Sequence, residues 1–174
     1  MLEFDFISKL LMGLLSPALA RGGKALERQV FKSKGITSDG GTPEQRFVAY
    51  ERLRRTCVEL RTFLDVLWSL PVRFVGGLVS LPIHFRLLHR IPTLGAEVND
   101  AFLGVAVVGR GEAAKAAQVL GDSLQAVLKQ HEQAHAKRSR RAMVPTDWSS
   151  FDDAIGNFAA ASRSDLGIRP LDNG

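Results

Sequence analysis

The chain has 174 residues, of which 45% are hydrophobic and 24% are charged, and its formal net charge is +5. This length suits one domain with a buried core, and the composition excludes a wholly disordered chain. The single cysteine, Cys57, excludes an internal disulfide framework and a multi-cysteine zinc site. Residues 1–42 carry +2, residues 43–92 carry +4, residues 93–136 carry −2 and residues 137–174 carry +1. The positive charge is therefore not one block of the kind typical of nucleic-acid binding.

Residues 1–34 are predicted to form an N-terminal amphipathic helix, which we call the arm. Its uncharged part, residues 10–20, is shorter than the roughly 20 residues that cross a membrane. The helical spacing of apolar residues gives it one apolar face, the arm stripe, made of Phe6, Ile7, Leu10, Leu11, Leu14 and Leu15. Five cations follow this stripe and are the candidate lipid- or anion-binding residues: Arg21, Lys24, Arg28, Lys32 and Lys34.

Three roles for the arm are compatible with this pattern. An apolar stripe followed by clustered cations suits a helix that lies in a membrane interface, with its basic end at anionic head groups. The stripe could equally pack on the protein's own bundle or on a second copy of the chain. A cleaved secretory signal is the third alternative, because Ala18-Leu19-Ala20 has the form of a cleavage site, but Glu3 and Asp5 make its leading region acidic.

A glycine-containing linker over residues 35–42 is predicted to precede the main body of the protein. Thr42, Pro43 and Gln45 then form a helix-start signal, with a hydroxyl cap, a proline at the first helical position and a capping-box partner. The spacing of apolar residues predicts a helix over 43–69 with one apolar stripe: Tyr50, Leu53, Cys57, Leu60, Leu64 and Leu67.

Prolines and glycines divide the rest of the chain. Pro71 and the residues to 83 are expected to be irregular, followed by a short helix to about Arg90 and, after Pro92, a helix to Val108. The two glycines Gly109 and Gly111 predict a break. A further helix runs from Glu112 through the charged residues to Pro145.

A last helix is expected from Thr146 or Asp147, with apolar residues in register at Trp148, Phe151, Ile155 and Phe158. Alternating strand patterns are lacking. The sequence therefore predicts an all-α protein, with an antiparallel bundle of about four main helices over 43–167, a separate N-terminal helix and a short tail at 168–174.

One motif has the spacing of a zinc site. His131, Glu132 and His135 match the H-E-x-x-H pattern, in which two histidines one helical turn apart bind zinc and the glutamate is the general base. Lys129, Gln130, Lys137 and Arg138 surround it, where metalloproteases have apolar neighbours. A polar helix end that contains two histidines is the simpler interpretation, and a zinc-dependent hydrolase is the alternative.

Two further patterns suggest phosphate contacts. Val105 to Ala114 resembles a strand, a G-x-G-x-x-A turn and a helix, but no second strand with an acidic end follows, so a break between two helices is the preferred interpretation. The run from Lys137 to Arg141 holds four cations in five residues and could touch nucleic acid or lipid. A solvated helix end explains it more simply, because no interleaved aromatic residues support base stacking.

Together these segments resemble a group of small helical proteins of actinobacteria. The resemblance is carried by the arm with its basic continuation and by four further stretches: Tyr50-Glu51-Arg52-Leu53, Leu67-Trp68, Ala96 to Leu128 with its Val107-Val108-Gly109 break, and Phe158 to Gly167. It implies a tethered or cytosolic helical bundle with no assigned activity. It also implies that the glycine break is a helix junction and that the histidine run lies in a connection.

The expectation from sequence is a non-enzymatic scaffold or interaction protein without a cofactor. Its expected partner is another protein or a second copy of the chain, with an anionic membrane surface as a further candidate, and nucleic acid is not expected. The expected location is the cytoplasm, at the inner face of the cell membrane if the arm binds lipid.

Overall fold

The structure is a computed structural model that describes residues 41–69, 81–137 and 146–168, and it describes only the backbone of residues 69, 81–88, 132 and 134–137. These residues form four helices and no strand: α1, Pro43–Ser69; α2, Leu81–Val108; α3, Gly111–Lys137; and α4, Ser149–Asp165. The all-α prediction is confirmed for this part of the chain. The predicted arm and its stripe lie outside the described residues, as do 70–80 and the segment 138–145.

Helix α1 begins where the capping signal predicts. The backbone N–H of Thr42 donates to Gln45 Oε1 at 2.9 Å, and the N–H of Gln45 donates to Thr42 Oγ1 at 3.3 Å. This reciprocal pair satisfies two of the N–H groups that a helix start leaves without a partner. The predicted apolar stripe is the buried face of the helix: Tyr50, Leu53, Cys57, Leu60, Leu64 and Leu67.

The prediction of two separate helices on either side of Pro92 is wrong, because α2 is one continuous helix with Pro92 inside it. Proline inside a helix costs roughly 3 kcal/mol, because it removes one hydrogen bond and crowds the preceding turn. Here Pro92 faces solvent while Ile91 and Leu94 on the same helix are buried in the core. Arg90 also donates to Glu59 of α1 at 2.6 Å. Packing on α1 thus offsets the local penalty, and residues 81–83, predicted to be irregular, are helical as well.

The predicted break after Val108 is confirmed and is two residues long. The N–H of Gly109 donates to Val105 O at 2.7 Å and so closes α2. Gly111 has φ of +44°, a left-handed conformation that favours glycine, and α3 starts there. Helix α3 then runs to Lys137. Residues 138–145 lie outside the described ranges, so the predicted continuation of this helix to Pro145 stays a prediction.

Helix α4 starts at Ser149, two residues after the predicted cap Asp147. Asp147 Oδ1 accepts hydrogen bonds from the N–H of Ser149 at 2.9 Å and from its hydroxyl at 2.7 Å. The helix ends in a Schellman motif, in which the N–H of Gly167 donates to Ser164 O and the N–H of Ile168 donates to Arg163 O. Gly167 has φ of +69°, as this motif requires.

The four helices pack in two pairs around one core. Helix α1 packs mainly on α2, and α3 mainly on α4, while α1 also touches α4. Contacts across α1 and α2 join residues in opposite chain order, since Arg52 approaches Asp100 and Glu59 binds Arg90. The same holds for α1 and α4, where Arg46 binds Asp165 and Arg61 binds Asp152. Helix α1 therefore runs antiparallel to both α2 and α4.

Candidate interaction groove

An open groove lies between the first half of α1 and the last quarter of α2. It has a volume of about 580 Å³. Small residues form part of its lining, and a Cβ added to Gly104 would lie 3.9 Å from Ala49 Cβ, so the two helices approach closely there. The lining is mostly apolar and consists of Glu44, Gln45, Val48, Ala49, Arg52, Ala101, Leu103, Gly104, Val107 and Val108.

Two valines stand out along this groove because they are large, apolar and exposed. Val48 of α1 is 64% exposed and Val107 of α2 is 69% exposed. Arg52 and Asp100 flank the groove with a loose ion pair of 3.9 Å, both side chains being mostly in solvent. An apolar centre with a polar edge is the composition that interaction surfaces share.

The groove was missed in the sequence because it depends on how two helices pair. Val48 lies beside the apolar stripe predicted for α1, and Val107 lies beside the buried face of α2. Neither valine, taken alone, departs from the ordinary composition of a protein surface. The small residues Ala49 and Gly104 are the local signal of this groove, since small residues allow helices to approach.

A buried polar cluster joins α1 to the end of α4. The Tyr50 hydroxyl donates to Asp165 Oδ2 at 2.7 Å and accepts from the N–H of Arg110 at 3.3 Å. Arg46 Nη1 donates to the same carboxylate oxygen at 2.8 Å and to the Asp165 carbonyl at 3.2 Å. Burial, and then the bond to Asp165, raises the pKa of Tyr50 far above its usual value. These groups bond one another, so the cluster has a structural role: at one end of the bundle it joins the start of α1, the turn before α3 and the end of α4.

The histidine of the zinc motif that the structure describes lies in an aromatic stack. The His131 ring is 3.7 Å from the Trp68 ring, nearly parallel to it, and Trp68 also stacks on Trp148 at 5.4 Å. His131 Nδ1 is 2.9 Å from Thr146 Oγ1, and the residue is 5% exposed. This position explains His131 as a packing residue between α1, α3 and the start of α4.

The rest of the zinc motif stays a prediction. The side chains of Glu132 and His135 lie outside the described part of the structure. Among the residues that are described, no group of three or more histidine, cysteine, aspartate or glutamate side chains could hold a metal ion.

The glycine motif and the cysteine both have structural explanations. The residues before Gly109 are helical, so the resemblance to a strand, turn and helix that bind a dinucleotide does not hold at Val105–Val108. Cys57 is fully buried, and this burial raises the pKa of its thiol to about 12, which makes it a core residue.

The other predicted sites fall on residues that the structure does not describe. These are the arm stripe and the five cations after it, from Arg21 to Lys34. The basic run begins at Lys137, the last residue of α3, and its remaining residues also lie outside the described ranges.

One stretch of the described residues, His89–Val108 in α2, is long and apolar enough to cross a membrane by length and composition. Of this window, 44% is buried inside the bundle. A core helix of a soluble protein passes the same test, so this stretch alone is weak support for a membrane span.

Comparison of the chain with protein-family models, with curated proteins and with solved structures finds no match in any of the three. The resemblance to the actinobacterial group therefore stays a prediction.

Proposed function

We propose that the protein is a non-enzymatic helical scaffold that self-associates through the groove between α1 and α2. The observation that carries this proposal is the pair of exposed valines, Val48 and Val107, in a mostly apolar groove. Fully burying a valine side chain contributes about 1.5–3 kcal/mol, so covering this groove favours association. The partner is a second copy of the chain, located in the cytoplasm.

The polar groups of the described bundle support a binding role over catalysis. Tyr50 and Arg46 both donate to Asp165, Cys57 is buried with a raised pKa, and His131 is stacked on Trp68. A catalytic site needs a titratable group that can reach a substrate in a cleft. The groove is lined instead by small and aliphatic residues, with Glu44 and Arg52 as its charged members.

Self-association of the full-length chain tests the proposal. In sedimentation velocity over a concentration series, we expect the wild type to associate and the double variant Val48→Glu, Val107→Glu to bind itself at least tenfold more weakly. Both valines are exposed, so neither glutamate should unfold the bundle. A wild type that stays monomeric throughout would contradict the proposal.

Val119→Glu is the matched control for this experiment. Val119 is 56% exposed on α3 and lies outside the groove lining. We expect this variant to associate like the wild type. Equal weakening by Val119→Glu and by the groove variants would show a general effect of charge and would overturn the role of the groove.

A further inference from the structure

We infer that the arm stripe of one copy, Phe6 to Leu15, fills the groove between α1 and α2 of a second copy. This inference rests on the proposed function and deepens it, because it names the segment that the groove binds.

The groove is too small to form a stable interface without a segment inserted into it. Its α1 wall runs from Glu44 to Arg52, and at 1.5 Å per residue this is about 12 Å. A footprint of about 12 Å by 10 Å is far below the roughly 1,000 Å² in total that a stable interface buries. Two grooves that merely face each other are therefore insufficient, and a helix seated in each groove adds the missing contact.

The arm stripe has the length and chemistry of such a helix. Phe6 to Leu15 spans about 14 Å as a helix and carries six large apolar side chains on one face. The small groove residues Ala49, Ala101 and Gly104 leave space for leucine and phenylalanine side chains. Large side chains that insert between small ones give the close packing that protein interiors share.

The described chain begins beside the groove. A Cβ at Gly41 would lie 3.0 Å from Val108 Cγ1 and 2.6 Å from Gln45 Oε1, and both Val108 and Gln45 line the groove. The chain that leads to the arm therefore leaves from the rim of the groove. Residues 16–40 separate the stripe from this point, and at up to about 3.3 Å per residue they can reach the groove of the same copy or of a second copy.

Disulfide trapping in the full-length chain tests the inference. The test variant is Leu11→Cys with Val48→Cys, and the matched control is Leu11→Cys with Val119→Cys. The native Cys57 is buried, so it does not compete for oxidation. Under mild oxidation we expect the groove pair to form its disulfide at least ten times faster than the control pair. Equal rates would overturn the inference.

The topology of the disulfide separates this inference from the proposed function. A crosslink between two chains supports both. A crosslink within one chain would overturn the inference, because the arm stripe would then fill the groove of its own copy. If no groove crosslink forms while Val48→Glu still weakens association, the inference fails and the proposed function stands.

Lipid vesicles provide the last measurement of the test. The arm stripe would instead lie in a membrane if both cysteine pairs stay reduced and the protein floats with anionic vesicles but not with neutral ones. That result would overturn the inference. A groove crosslink formed at the same rate with and without anionic vesicles supports it.

Discussion

The hydroxyl of Tyr50 has two hydrogen-bond partners and almost no contact with solvent. It donates to Asp165 and accepts from the backbone of Arg110, and its ring packs edge-on against Phe158 with centroids 5.8 Å apart. Ionising this hydroxyl would remove the donated bond and place a second negative charge beside the carboxylate. Both effects favour the protonated phenol.

Tyr50 is the only tyrosine of the chain, so its titration can be observed directly. Because burial raises its pKa, we expect the ultraviolet absorbance of ionised phenol to stay absent at pH values where free tyrosine, with a pKa of about 10, titrates. The unfolded chain releases this proton first, so the free energy of unfolding should fall as the pH rises above about 10. The signal in denaturant is the control, and a native titration at the ordinary pKa would contradict the prediction.

His131 shows why a motif at residue scale predicts less than its spacing suggests. The two histidines four residues apart satisfy the zinc pattern, yet the same spacing places His131 on the buried side of α3, where it meets Trp68 and Thr146. Both partners lie on other segments, so no local pattern distinguishes a stacked histidine from a ligand. By contrast, the burial of Cys57 was predictable because the residue falls on a regular apolar stripe.

At the scale of helices, α1 was predictable because its signals are local. The capping pair, the proline and the apolar stripe all lie within 27 residues, and they agree. The continuity of helix α2 was not predictable, because the contacts that offset the free-energy cost of Pro92 come from another helix. One of them joins Arg90 to Glu59, which lies 31 residues earlier in the chain. The groove shares this property, because its walls come from two helices.

Two glycines, one inside α4 and one just after its last residue, have opposite expected effects on stability. Gly167 has a left-handed conformation, so Gly167→Ala should lower the free energy of unfolding by about 1 kcal/mol. Gly156 lies inside the helix, and a Cβ added there would meet no atom within 4 Å. Gly156→Ala should therefore raise the free energy of unfolding by about 0.5–1 kcal/mol. Urea denaturation measures both. Two changes of the same sign would show that this account of the helix end is wrong.

At the scale of the whole molecule, a buried ion pair joins the first and last described helices. Arg46 stands near the start of the first described helix and Asp165 ends the last, and they lie 119 residues apart in the chain. Their side chains are only 10% and 14% exposed. Removing one partner of such a pair leaves the other charge buried without compensation, which costs far more than losing an exposed pair.

Two of the ion pairs of α1, one with Asp165 and one with Asp100, allow this difference to be measured. We expect Asp165→Asn to lower the free energy of unfolding by about 3 kcal/mol, because Arg46 and Tyr50 both lose a charged acceptor. Asp100→Asn removes the exposed charge that lies 3.9 Å from Arg52, and it should change the free energy of unfolding by less than about 1 kcal/mol. Urea denaturation at neutral pH compares the two variants. Equal losses would contradict the argument that burial makes the pair of Arg46 and Asp165 stronger than an exposed pair, and with it the role of this pair in joining the first and last described helices.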